Sequence, residues 1–279
     1  VENLRVIKID TKNIFYNLAI EENLLNHYGG EKSMLLLWQS QNVVVIGKHQ
    51  NPWKECNMEV AIKKNITIAR RNSGGGTVFH DQGNLNFSII TPRSLFSHHR
   101  NVSFLLRAME YLKLGVSLVD NSGGLFLHDK KISGSAFYFK KDRVLHHGTL
   151  LINTDLHLLR QVCTPDLKGV HDTAVPSRPS PVINLADLIP GLTIAEVAGV
   201  LKKGFEKHFP GNQEEPLYWK EDEISEISKR YSSKEWIFGF PREFELNNSS
   251  SNMNAGKINT LEFTEQFFSE NCIQGRTHD

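Results

Sequence analysis

At 279 residues, with 39% apolar and 23% charged side chains, the chain is long enough to bury a full core and too apolar to be disordered. Thirty-two basic residues against thirty-one acidic ones leave a formal charge of +1, so there is no global field to draw the protein onto nucleic acid or an anionic membrane. Cys56, Cys163 and Cys272 are few, far apart and without C-x-x-C spacing, which argues against a disulfide framework or a zinc site and for a reducing compartment.

In chain order, Ile14–His27 places Ala19, Ile20, Leu24 and Leu25 at helical spacing and predicts an amphipathic helix. Met34–Trp38 and Val43–Ile46 are short, apolar and partly β-branched, as buried strands are. Residues 58–64 predict a short helix, 66–70 a strand, and 77–80 with 86–90 a strand pair around a turn at 81–83. Leu105, Leu106, Met109 and Leu112 share one face of a helix predicted over 101–114. Strands are expected at 116–119, 125–127, 131–135 and 148–152, and a helix at 193–208. Strands in runs, rather than in regular βαβ alternation, predict a mixed α+β domain over residues 1–246. The polar stretch NNSSSNMNAG, within 246–256, is a linker candidate, and the residues beyond it are too few for a core of their own.

Chemistry concentrates in two clusters. Arg70-Arg71-Asn72-Ser73-Gly74-Gly75-Gly76-Thr77 follows an apolar strand, and consecutive glycines let backbone approach a ligand and aim successive N–H groups at one anion. The two arginines beside it add bidentate phosphate donors, although a bare triple glycine is also simply a tight turn. It is neither a P-loop nor a dinucleotide fingerprint. In the second cluster, strand alternation projects Lys131, Ser133 and Ser135 together, a cation flanked by hydroxyls suited to a carbonyl or phosphoryl oxygen, although a lysine taken alone is more often a solvated side chain. The adjacent His146 and His147 would face opposite ways on a strand, so they are read as structural and not as ligands of one metal.

The runs VVVIGKHQNPWKECN (43–57), RRNSGGGTVFHDQGNLNFS (70–88), KISGSA with HHGTLL, and EWIFGFPREF (235–244) stand in one order and spacing. Together they resemble lipoate-protein ligase A and the mitochondrial lipoyltransferases. That resemblance implies a biotin/lipoate-ligase-type mixed sheet with flanking helices. It implies attachment of lipoate to a lysine through lipoyl-AMP, with ATP and Mg2+. The acceptors implied are lipoyl domains of 2-oxoacid dehydrogenase complexes and the glycine-cleavage carrier protein, with no nucleic acid or membrane partner.

Carried over by position, Arg71, Gly76, Thr77, Val78 and Phe79 would line the nucleotide and acyl-adenylate, with Arg70 and Gly75 close behind. Lys131 would touch both the lipoyl carbonyl and the phosphate, Thr149 would meet the adenylate, and Asn121 would contact adenine or metal. Ser177 and Arg178 fall in a loop that is two residues longer than the family pattern. Trp38, Val45 and Phe79 are candidates to wall an apolar tunnel for the acyl chain, with a packed-core role an equal alternative for Trp38 and Val45. Asn121-Ser122 replaces the Asn-Asp usual in bacterial ligases, which leaves the metal ligands unassigned.

Past the Gly256-Lys257-Ile258 strand the family's C-terminal accessory domain is expected to be curtailed, weakening ATP activation more than transfer. Transfer from preformed lipoyl-adenylate is therefore an alternative, as are a thiolate-dependent octanoyl transferase and a non-catalytic lipoate-binding scaffold. An N-terminal Val fits either a processed or a trimmed chain, and with the Asn/Ser-rich linker it tilts the expected compartment to the mitochondrial matrix over a bacterial-type cytoplasm.

Overall fold

A computed structural model of the protein describes residues 6–28, 32–118, 124–165, 167, 169–209, 220–246 and 257–274. Strand β1 (Val6–Ile9) leads into helix α1 (Ile14–His27), where the Asn13 side chain accepts the N–H groups of Phe15 and Tyr16 and satisfies two donors of the first turn. Strands β2 (Met34–Trp38) and β3 (Val43–Ile46) are buried at every position. Their unbroken apolar runs reflect burial on both faces. Leu35 and Leu37 enter one core cluster, Met34, Leu36, Trp38, Val43 and Val45 a second, and Val44 and Ile46 a third.

Short helices α2 (Pro52–Glu55) and α3 (Met58–Lys63) bring the chain to β4 (Thr67–Arg70), β5 (Val78–His80) and β6 (Asn84–Pro92). The last two do not pair with each other as expected: β5 pairs with β3, and β6 with β2. Their connection is a switch between sheets, held where the Asp81 carboxylate accepts the N–H of Gly83 at 2.9 Å and of Asp155 at 2.7 Å. A Cβ at Gly83 would lie 2.0 Å from the Asn153 carbonyl oxygen, so the close approach requires glycine.

Helix α4 (His98–Tyr111) starts and ends three residues earlier than expected, because the Ser97 hydroxyl caps it and Lys113 takes a left-handed φ of 58° beyond its end. Strands β7 (Ser117–Leu118), β8 (Leu125–Leu127) and β9 (Lys130–Ser133) form a small antiparallel sheet. The expected strand over 131–135 breaks at Gly134, after which β10 (Ser135–Phe139) forms a hairpin with β11 (Arg143–Leu151). Then come α5 (Leu156–Val162), β12 (Val170–His171) and α6 (Ile194–His208), the last opened by a capping box between Thr193 and Glu196. Helices α7 (Glu221–Ser232) and α8 (Lys234–Phe238), strands β13 (Glu243–Leu246) and β14 (Lys257–Asn259), and helix α9 (Thr260–Gln274) complete the described chain.

The class is mixed α+β, with strands divided among several sheets. The largest runs β1-β2-β6-β11-β10, antiparallel except for β1 beside β2, and a smaller one runs β4-β3-β5. Helices α4 and α6 cover one face of the large sheet, where Phe104 meets Phe205 edge to face at 5.7 Å near Phe87 and Ile89. Helices α1 and α7 and the β4-β3-β5 sheet share the core on its other side. Each fully buried Leu or Phe there contributes roughly 1.5–3 kcal/mol. At the chain's end β14 pairs with β13, and Phe263 and Phe267 of α9 stand edge-on to Trp53 at 4.7 and 4.8 Å. Residues 257–268 thus extend the common core; the linker candidate at 247–256 lies outside the described residues.

Candidate active site

Two adjoining cavities, of about 420 and 250 Å³, meet at one set of side chains. The larger runs between the sheets, with Trp38, Asn86 and His147 from the five-stranded one and Val45, Val78 and His80 from the smaller. The second is lined by Phe79, Leu151, Leu159 and Cys163 among others. Thr77, Lys131, Gly134, Thr149, Ser177 and Arg178 line both. Of the tunnel residues expected from sequence, Trp38 and Val45 wall the larger cavity and Phe79 the smaller one.

The glycine loop bends over the larger cavity, which Gly75 and Gly76 line, and Gly75 takes a left-handed φ of 84°. A Cβ on Gly47 would lie 2.2 Å from the Gly75 carbonyl oxygen, so the loop packs on backbone. Arg71 shapes it from below, donating to the carbonyls of Val45 (3.0 Å), Gly74 (2.7 Å) and Gly76 (2.7 Å) and to the Ser73 hydroxyl (3.0 Å). Arg70 lines neither cavity. Its guanidinium donates to the carbonyls of Gly47, Lys48, Gln50, Trp236, Ile237 and Phe240, which corrects its reading as a phosphate donor. The two residues part company because neighbours on a strand point to opposite faces. Burial lowers both guanidinium pKa values to about 10, so both stay charged at neutral pH.

Lys131 stands at the junction, its ammonium 5.8 Å from the centre of the Phe126 ring. Its backbone N–H donates to Pro181 at 2.7 Å and its carbonyl accepts from Ile183 at 3.2 Å, which ties β9 to the loop carrying Ser177 and Arg178. Thr149 clamps the next turn, donating its N–H to the Gly134 carbonyl at 2.9 Å and accepting the Gly134 N–H on Oγ1 at 3.2 Å. A Cβ on Gly148 would meet that same carbonyl at 2.5 Å. The break at Gly134 splits the predicted hydroxyl row: Ser133 lines the second cavity and Ser135 the first, with Lys131 between them. Asn121 lies outside the described residues.

Two buried carboxylates escaped the sequence reading. Glu55 accepts the Ser177 N–H at 3.0 Å, the Thr77 hydroxyl at 2.8 Å and the Ser177 hydroxyl, and the Thr77 N–H in turn donates to Ser177 Oγ at 2.8 Å. Gln50 braces the same knot through Gly47, Thr77 and Ser177. Glu21 faces His147 Nδ1 at 3.1 Å, and His147 Nε2 meets the Ser73 hydroxyl at 2.6 Å. This Ser-His-Glu array presents no nucleophile, because Ser73 is fully buried and its oxygen also accepts from Arg71. It anchors the glycine loop to α1 and β11.

Residues 13–206 match the family model of the lipoyl protein ligase A/B catalytic domain. The chain belongs to that family. It is 34% identical to lipoate-protein ligase A of Bdellovibrio bacteriovorus over 252 residues, 88% of this chain and 74% of that protein. Among solved structures, P. falciparum LipL1 in complex with lipoate superposes with a TM-score of 0.72 at 26% identity, over 90% of this chain and 82% of that one. A lipoate-protein ligase A bound with ATP gives 0.70 at 27%, over 84% and 98%. A bipartite archaeal lipoate protein ligase from Thermoplasma acidophilum, described with its E2 lipoyl domain, gives 0.70 at 25%, over 85% and 96%.

Within the lipoyl ligase family, a thiolate route and an adenylate route make different demands on the site. Cys163 lines the second cavity, yet burial and then the Glu55 charge push its thiol up to about 12, so it carries no thiolate at neutral pH. Cys56 is buried in the core and lines neither cavity. The lipoyl ligase site also shows, among the described residues, no group of three His, Cys, Asp or Glu side chains placed to hold a metal ion. No helix among them is long and apolar enough to cross a membrane. Glu21 carries no local signal of its own, whereas Glu55 lies inside the 43–57 run and its role there was not recognised; the adjacency of His147 to Gly148-Thr149 also hinted at the cavity wall.

Proposed function

We propose that this chain joins the carboxyl of lipoate to a lysine of acceptor lipoyl domains through lipoyl-AMP, using ATP. The observation that carries this reading is the meeting of two differently built cavities at Lys131. The larger arm penetrates between the sheets to Leu18, Trp38 and Val45 and suits the acyl chain. The second arm, with Ser133, Arg160 and Thr164 beside Phe79, suits the nucleotide.

A carboxylate does not acylate an amine directly. In the first step a lipoate oxygen bonds to the α-phosphorus of ATP, the bond from that phosphorus to the bridging oxygen breaks, and pyrophosphate departs. In the second, the neutral amine of the acceptor lysine bonds to the acyl carbon, the acyl–oxygen bond breaks, the nitrogen loses a proton, and AMP leaves. Negative charge grows on phosphoryl oxygen first and on acyl oxygen second, and the Lys131 ammonium serves both because it stands where the arms join. The described residues supply no protein cage for Mg2+, so the ion enters this reading only as the companion of the triphosphate.

Incubating the protein with an apo lipoyl domain tests the reading, with the domain's mass followed after addition of lipoate plus MgATP or of preformed lipoyl-AMP. Mass gain from both donors, lost in Lys131→Ala, is the expected result. Gain from lipoyl-AMP alone makes the chain a lipoyltransferase served by another activating enzyme, and gain from neither rejects the proposal.

A further inference from the structure

Strand β10 is an edge of the five-stranded sheet: it pairs with β11 and, among the described residues, with no other strand. The ladder opens where Thr149 donates its N–H to the Gly134 carbonyl at 2.9 Å and closes where Lys140 donates to the Arg143 carbonyl at 2.8 Å. Bonded pairs alternate along an antiparallel ladder, so Gly134, Ala136, Tyr138 and Lys140 aim their backbone at β11, while Phe137 and Phe139 aim theirs outward. On that outward side neither residue has a backbone partner among the described residues. The segment SAFYF carries none of the proline or charge that ordinarily protects an edge, and Phe139 is 51% exposed.

Two further features of this edge identify its occupant. First, β10 starts in the cavity wall: Ser135 and Ala136 line the larger cavity beside Lys131, and a Cβ on Gly75 would lie 3.6 Å from that of Ala136, so the glycine loop rests on the strand. The other edge strand of the sheet, β1, lines neither cavity. Second, the far end of β10 is basic. Lys140, Lys141 and Arg143 share the turn with Asp142, Arg93 lies over the Phe139 ring at 5.6 Å, and Lys48 over the Tyr138 ring at 5.8 Å. A chain of formal charge +1 thus collects cations along one short edge. We infer that β10 docks the acceptor domain by strand addition: an extended, acidic segment of the acceptor pairs with Phe137 and Phe139 and brings a lysine at its leading end past Ser135 to the junction at Lys131. The inference rests on the proposed acyl-transfer reading.

Amide hydrogen exchange of the wild-type protein, with and without an apo lipoyl domain, tests the pairing directly. The Phe137 and Phe139 amides are expected to exchange fast in the protein alone and about tenfold more slowly with the domain in excess. In parallel, transfer from lipoyl-AMP is followed at varied domain concentration in Phe139→Pro, which removes an outward N–H and no bond to β11, and in the double variant Lys140→Glu, Lys141→Glu. In each, KM for the domain is expected to rise about tenfold, with kcat at saturating domain and lipoyl-AMP affinity within about twofold of wild type. The charge-reversed variant carries the kinetic test if Phe139→Pro does not fold. Exchange left unchanged by the domain, protection that appears instead with rising protein concentration in its absence, or an unchanged KM in the folded variants overturns the inference and leaves the proposed function standing. Wild-type transfer from neither lipoyl-AMP nor lipoate plus MgATP removes the proposed function itself, and this inference with it.

Discussion

The Glu55 carboxylate holds Ser177 by two bonds, accepting its backbone N–H at 3.0 Å and its hydroxyl, and reaches from α2 to a loop 122 residues away. Through the Thr77 hydroxyl, the same carboxylate fastens that loop to the end of the glycine loop. The two walls of the junction around Lys131 are therefore one hydrogen-bonded unit.

Replacing Glu55 with alanine leaves the half-buried Ser177 amide and Thr77 hydroxyl without their acceptor. Stability is expected to fall by about 1–3 kcal/mol in a urea titration. In assays at low temperature, KM for the nucleotide should rise more than kcat falls, because the bonds hold the site's shape and not its charge. A larger drop in kcat than rise in KM would instead give Glu55 a direct part in the chemistry.

Lys131 is half-buried, and the backbone bonds by which it ties β9 to the Ser177 loop survive replacement of its side chain. Lys131→Ala should therefore keep the wild-type melting temperature within about 2 °C while slowing both adenylation and transfer by about 10²–10³-fold, as removal of a charge-stabilising donor does. Pyrophosphate release and transfer from preformed lipoyl-AMP, measured separately, check the two halves; loss of only one would confine the lysine to that step.

Arg70 and Arg71 should separate cleanly on mutation. Arg70→Lys cannot reach six carbonyls spread over two segments, so it is expected to destabilise the fold by on the order of 3 kcal/mol, with ligand affinity unchanged in whatever remains folded. Denaturant midpoints and lipoate binding read the two effects apart. Impaired binding with full stability would restore Arg70 to the site.

His80 and His146 are buried, and burial lowers the pKa of each to about 3; charges on Arg71 and His147 add to this for His80, and those on His147 and His98 for His146. Below the ordinary histidine pKa of about 6.5 the unfolded chain takes up these protons and the folded chain does not, so stability falls as pH falls. Between pH 7.5 and 5.5 each histidine should cost about 1 kcal/mol, a loss that continues down to about pH 3. His146→Phe, which keeps the stacked contact with Phe137, should remove one histidine's share of that slope; an unchanged slope would show that the ring takes up its proton in the folded state.

Local pattern carried much of the fold. The bounds of α1, β2 and β3 follow from apolar spacing and an Asn cap, because helix and strand periods are set by neighbours a few residues apart. Lys131 and the triple glycine were visible for a similar reason: dense, unusual residue types in short runs announce a backbone or charge requirement. The missed hairpin partner β10 had no such mark, since Ser135 to Phe139 alternates weakly and its burial is intermediate until the exposed Phe139.

What the amino-acid order determined by itself was the class of fold, the chief elements, the family and the neighbourhood of the site. Tertiary structure alone decided that β5 and β6 part into different sheets, that Arg71 faces the cavity while Arg70 braces the scaffold, and that Glu21 and Glu55 reach into the site from distant helices. The reason is physical. A strand's period follows from its own covalent geometry, whereas a buried polar group takes whichever partner long-range packing brings within 3 Å, and no local run of residues records that choice.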